Sequence, residues 1–208
     1  MTKYLQDGNV GDPIFIFAHG AGAGKDHLFM ETMAREIAKG GIHVVRFNFP
    51  YMEKRLVDGR KRPPDRAPVL LDTYREVIND FQSDAPIFIG GKSMGGRMAS
   101  LVVEQTNVSG LICLGFPFHP PGKPENYKGD HLKSISTPSL IIQGERDTFG
   151  KREEFEDFSL SEAVEIQFIA DGDHSFKPRK SSGLTEHENL LCAARLVQRF
   201  IMEQSCES

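Results

Sequence analysis

The stretch Pro86-Ile87-Phe88-Ile89-Gly90-Gly91-Lys92-Ser93-Met94-Gly95-Gly96-Arg97-Met98-Ala99-Ser100-Leu101-Val102-Val103-Glu104 decides how the rest of the chain is read. Pro86 to Ile89 is a short apolar run of the kind a buried strand makes, and Arg97 to Glu104 has the apolar spacing of a helix. The glycines between them mark a sharp strand-to-helix turn. Ser93 stands at its apex, in the Gly91-x-Ser93-x-Gly95 pattern of a nucleophile elbow. An elbow holds its serine in a strained backbone conformation. Side chains two residues to either side would collide where strand and helix nearly touch, hence Gly91 and Gly95, and Gly96 loosens the helix start further. The alternative is a helix N-cap serine in a glycine turn.

The surrounding chain fits the elbow. β-rich apolar runs recur at Ile14–Phe17, Val44–Phe47, Ile87–Ile89, Leu111–Leu114, Leu140–Ile142 and Ile166–Ile169. Segments near 27–39, 68–82, 95–106 and 186–203 have helical spacing. This alternation predicts the α/β class: a mostly parallel sheet with helices on both faces. At 208 residues the chain suits one domain, 1–208, with no internal repeat. Two long connections rich in Pro and Gly, after the second and fourth strand runs, leave carboxyl ends of strands, the edge where open parallel sheets bind ligands. They supply Arg60 and Arg62 from the first, and Phe116, Phe118 and His119 from the second, as candidate substrate-binding residues. The first carries six cations against three acids between Glu53 and Arg66, so it favours an anionic substrate or, in the plainer reading, is a solvated loop. The connection Phe149 to Ala163 is charged and more helical, with no chemistry assigned.

Composition limits the partners. Hydrophobic residues are 39%, charged residues 26% and the formal net charge is −4, without the basic excess of a nucleic-acid binder. No apolar run reaches the roughly 18 residues of a membrane span, and the start MTKYLQDGNVGDP lacks a secretory apolar core, so a cytoplasmic location is expected. For the same reason the sequon Asn107-Val108-Ser109 carries no meaning. Cys113, Cys192 and Cys206 lack metal-ligand spacing and read as reduced thiols, the first two in core packing.

A serine hydroxyl needs a base, and the base an orienting carboxylate. Of seven histidines, only His174 and His187 follow both the elbow and a candidate acid. His187 lies in the last helical segment among Glu186, Glu188 and Asn189, which suits a solvated face. His174, in ADGDHSF, directly follows the last strand run. For the acid, LIIQGERDTFG offers Asp147, favoured because Gly144 begins the turn that carries it around, and Glu145 as the alternative. Asp171 and Asp173 read as loop-forming or solvated groups. An oxyanion hole needs two backbone N–H donors: Met94 after the serine, and Ala21, or else Gly22, in FAHGAGAGKDH. That glycine-rich turn does not cradle phosphate. His19 replaces the first glycine of a P-loop and Asp26 its Ser/Thr, and Lys25 falls where a dinucleotide fingerprint needs its third glycine. No metal and no cofactor is expected.

The HGAGAG turn, the GKSMGG elbow, the GERD acid loop and the DGDHSF histidine loop together resemble the α/β-hydrolase superfamily over nearly the whole chain. The compact layout, with no large lid domain, is similar to the dienelactone-hydrolase-like branch. GKSMGGRMAS with FPFHPPGKPE is similar to bacterial relatives of the testis-expressed protein 30 and KAT8 regulatory-complex subunit 3 group. The resemblance implies Ser93, Asp147 and His174 as a triad, but no substrate. Dienelactone hydrolases proper carry Cys where this chain has Ser93, so lactone specificity does not transfer. The expected function is hydrolysis of an ester, thioester or related small-molecule acyl derivative through an acyl-enzyme on Ser93. Some members of the wider group look like scaffolds, so a binding or scaffold protein on the same fold is the alternative, and a peptidase the weaker third.

Overall fold

A computed structural model describes residues 3–206. Its strands are β1 Tyr4–Asp7, β2 Ile14–Ala18, β3 His43–Phe47, β4 Ile87–Lys92, β5 Gly110–Leu114, β6 Ser139–Gly144 and β7 Val164–Ile169. The helices are α1 Leu28–Ala38, α2 Pro50–Asp58, α3 Ala67–Asp80, α4 Met94–Val102 and α5 Glu186–Cys206. The strands form one sheet in the order β1-β3-β2-β4-β5-β6-β7, parallel throughout except that β1 runs antiparallel to β3. Among the described residues no large lid covers the carboxyl edge.

The near-continuous apolar strands are explained by burial on both faces. Alternate residues go to opposite sides. Ile14, Ile16, Ile87 and Ile89 pack with Leu70 and Tyr74 of α3 and Met98 and Val102 of α4. Phe15, Phe17, Phe88, Ile112 and Leu140 pack with Met33 and Ile37 of α1 and Val197 and Ile201 of α5. After β2 the chain adds β3 on one side, then crosses to add β4 on the other. The carboxyl ends of β2 and β4 therefore flank a topological switch point, where loops diverge to opposite faces and leave a crevice.

Three expectations are corrected. The stretch 50–68 is not a single loop: its first nine residues are α2, and Ala67-Pro68 open α3. Proline at the first helical turn lacks only an N–H that would be unpaired there anyway, so it starts these helices rather than breaking them. Phe116 and Phe118, expected near substrate, are fully buried. Phe118 lies 4.7 Å from the Phe158 ring and 5.0 Å from that of Phe155, an aromatic cluster that ties the Pro-rich loop to segment 155–158. Cys192 is exposed on α5 rather than packed in the core, whereas Cys113 is buried.

Candidate active site

β4 runs straight into α4 through Ser93, whose φ of 52° and ψ of −115° lie in a region costly for a residue with a side chain. The geometry is imposed from both sides. A β-carbon on Gly91 would stand 2.5 Å from the Ala18 carbonyl oxygen, and one on Gly95 2.6 Å from those of Ala18 and His19. Only glycine lets the helix approach the β2 terminus this closely, and that approach lifts the Ser93 hydroxyl out of the sheet edge.

Ser93 Oγ lies 2.9 Å from His174 Nε2, and His174 Nδ1 lies 2.8 Å from Asp147 Oδ2. The carboxylate is fully buried. Its Oδ2 also accepts from the Gln143 side-chain amide at 2.9 Å, and its Oδ1 from the Phe149 N–H at 2.9 Å. With Oδ2 accepting from Nδ1, the ring proton sits on Nδ1 and Nε2 is left as the acceptor facing Ser93. The Phe149 ring packs 4.3 Å from the imidazole and fixes its plane.

The other candidate acids are occupied elsewhere. Glu145 pairs with Arg152 at 2.6 Å and accepts from the Asp171 N–H. Asp171 pairs with Arg146 and Arg179. Asp173 caps its own turn through the Ser175 and Lys177 N–H groups. His187 is exposed.

The loop after β2 faces Ser93 across a cavity of about 300 Å³ whose walls include Ala21, Gly22, Phe29, Ser93, Phe149 and His174. Its carbonyls are pulled outward. Tyr51 Oη donates to the carbonyls of Ala21 at 3.0 Å and Gly20 at 3.3 Å, and Arg55 donates to that of Gly22 at 3.1 Å. His19 donates from Nδ1 to the Gly20 carbonyl at 2.7 Å while its Nε2 accepts the Phe49 N–H at 3.1 Å. Burial holds the His19 imidazole down to about 4, so it stays neutral with this tautomer. Met94, as the first residue of α4, has an N–H with no acceptor inside its own helix.

The remaining expected contacts are not brought to the cavity. His119 is buried, with its ring nitrogens at the Pro120 carbonyl and Glu154. Arg62 forms a two-pronged pair with Asp58, and Arg60 is exposed beyond α2; neither lines the cavity. Two site residues lacked a reading in the sequence. Gln143 is fully buried and bonds the Phe116 N–H and carbonyl, the Gly150 carbonyl and Asp147. Its only signal was a lone polar residue ending the apolar run Leu140–Ile142. Lys92, beside the nucleophile candidate, lines the cavity. Among the described residues no group of three His, Cys, Asp or Glu is placed to hold a metal ion, and no helix is long and apolar enough to cross a membrane. A larger hollow of about 690 Å³ lies at the amino ends of the strands, around Ile14, His43 and Pro86, away from Ser93.

A buried acid, an oriented imidazole and a serine on an elbow are the arrangement of the α/β-hydrolase class. The alpha/beta hydrolase domain model matches residues 11–202, and the chain belongs to that family. A 97-residue segment, 47% of the chain, is 30% identical to the non-reducing polyketide synthase CTB1 of Cercospora nicotianae, of whose length it spans 4%. In solved structures, the fold is similar to an alpha-beta serine hydrolase homologue from Coxiella burnetii (TM-score 0.70, 21% identity, 94% of this chain and 89% of that one). It is also similar to dienelactone hydrolase from Anabaena variabilis (TM-score 0.70, 18% identity, 97% and 92%).

Proposed function

We propose that the protein is a serine hydrolase that cleaves an ester, thioester or related carboxylic acid derivative of a small molecule through an acyl-enzyme on Ser93. The observation that carries the reading is the unbroken hydrogen-bonded chain from Ser93 Oγ through His174 to Asp147, opening on a cavity. In the proposed reaction Ser93 Oγ attacks the acyl carbon while His174 Nε2 takes its proton. The Met94 N–H and that of Ala21 or Gly22 receive the developing oxyanion. His174 then returns the proton to the departing alkoxide or thiolate, and a water, activated by the same nitrogen, releases the acid. Asp147 holds the Nδ1–H and offsets the transient imidazolium. The likeness to dienelactone hydrolase supports the compact, open site but specifies no substrate.

The test is turnover of a panel of 4-nitrophenyl acyl esters by wild type, Ser93→Ala, His174→Ala and the double variant. Groups that act as one unit lose activity together, so each single change lowers kcat on the order of 10⁴ to 10⁶ and the double change little more. Additive losses contradict the mechanism. A folded wild type inert on every ester favours the scaffold reading instead.

A further inference from the structure

We infer that the cavity beside Ser93 takes an acyl group bearing its own carboxylate, and that the ammonium of Lys92 receives it. The inference rests on the hydrolase reading above and names its substrate class: half-esters, or the matching thioesters, of short dicarboxylic acids. Lys92 is the last residue of β4, adjacent to Ser93, and lines the same cavity. The residue is only 8% exposed, and its Nζ is buried with no hydrogen-bond partner. A buried ammonium with its N–H groups unmet is unfavourable unless an anion reaches it.

The neighbouring acids do not meet it. Asp147 is engaged by His174, Gln143 and the Phe149 N–H, and Asp173 by the N–H groups of Ser175 and Lys177. They act on Lys92 only through space, opposing the burial that lowers its pKa to about 8. The groups packed closest around Nζ are uncharged. The Phe29 ring centroid is 5.7 Å away, a weak cation–π partner that leaves the N–H groups free. On the other side is Gly115, where a β-carbon would stand 3.0 Å from Nζ and 3.3 Å from His174 Nδ1. Any larger residue there would fill the space beside the ammonium. The site therefore has a buried cation with no hydrogen-bonded anion, carried on a residue that also lines the cavity beside the nucleophile. The strongly cationic segment 53–66, by contrast, contributes no residue to the cavity lining, and its Arg62 is held by Asp58. The step is ordinary hydrolysis: water adds across the acyl–oxygen or acyl–sulfur bond, and the products are the dicarboxylate and the free alcohol or thiol.

The experiment compares wild type with Lys92→Met and Lys92→Arg. The readout is the ratio of kcat/KM for 4-nitrophenyl hemiglutarate over 4-nitrophenyl pentanoate, a neutral ester of similar length. Truncating one partner of a buried charge pair changes affinity by roughly 30-fold or more, so the ratio falls on the order of 10²-fold in Lys92→Met and is partly kept in Lys92→Arg. An unchanged ratio overturns the proposal, including the case in which both esters lose equally because Lys92 only tunes His174. A Lys92 effect that follows an anionic leaving group on a neutral acyl ester overturns it too. A second readout needs no catalysis and no change at Lys92. Glutarate raises the melting temperature of wild type and of Ser93→Ala, pentanamide does not, and equal shifts overturn the inference. Because binding to Ser93→Ala is read without turnover, failure of this inference is separable from failure of the hydrolase reading.

Discussion

At the scale of single residues, Asp147 is the sharpest case, because a neighbouring carboxylate, Glu145, stood as the alternative acid in the same loop. The two differ in their partners. Asp147 is buried against His174, whereas Glu145 holds Arg152 and the Asp171 N–H. Asp147→Asn is expected to fold and to lose roughly 10⁴ in kcat, since an amide that donates to Nδ1 favours the wrong imidazole tautomer. Glu145→Gln is expected to change kcat by less than about threefold. Steady-state kinetics on one good ester checks both, and reversed results reassign the acid. Gln143 behind Asp147 was not legible, because a single Gln after an apolar run has no pattern. Its role exists only once the loops after β5 and β6 meet over it. Gln143→Leu strands a backbone N–H and carbonyls, so it is expected to destabilise by about 2 to 4 kcal/mol, seen as a lower urea midpoint, and to slow turnover as well.

At the scale of elements, the sequence was informative where periodicity is strong and weak where one feature carries two meanings. The six long apolar runs are β2 to β7, and the four helical segments are α1, α3, α4 and α5. β1 was missed because a four-residue antiparallel edge strand has no room to show a period. α2 was missed because Pro50 reads as a breaker when it stands first in a charged stretch, although that is the one place a helix accepts it. The omission matters functionally, since α2 supplies Tyr51 and Arg55, which hold the loop of Ala21 and Gly22 by its carbonyls. Tyr51→Phe removes only the hydroxyl. It is expected to cost about 1 kcal/mol of stability and to lower kcat about tenfold with KM nearly unchanged, because the loosened N–H groups serve the transition state. A KM effect without a kcat effect would place this loop in substrate binding instead. Phe116 and Phe118 were misread for a related reason: position after a strand marks a loop as bordering a site, but large rings in such a loop are as apt to bury themselves.

At the scale of the whole molecule, the sheet acts as a frame that brings residues 93, 147 and 174 from three strand ends to one point, and its stability should carry the imprint of buried histidines. His19, His43 and His131 all have depressed imidazole pKa values because burial disfavours the cation. The unfolded chain takes these protons near pH 6.5 while the folded chain does not. Stability is therefore present in full above about pH 6.5 and falls as pH drops from there toward about 4, where His19 protonates in the fold. Urea midpoints measured from pH 7.5 to 4.5 should decline across that window, and His19→Gln should flatten part of the decline. A midpoint independent of pH in that range would contradict the buried neutral imidazoles. The claim on which the account turns is that this frame presents Ser93 as a nucleophile. Its most direct measurement is treatment of the folded protein with a fluorophosphonate, followed by mass spectrometry of the labelled peptide. The account predicts a single adduct on Ser93 that is lost in Ser93→Ala and strongly slowed in His174→Ala. An adduct on another residue, or none on folded wild type, would contradict it.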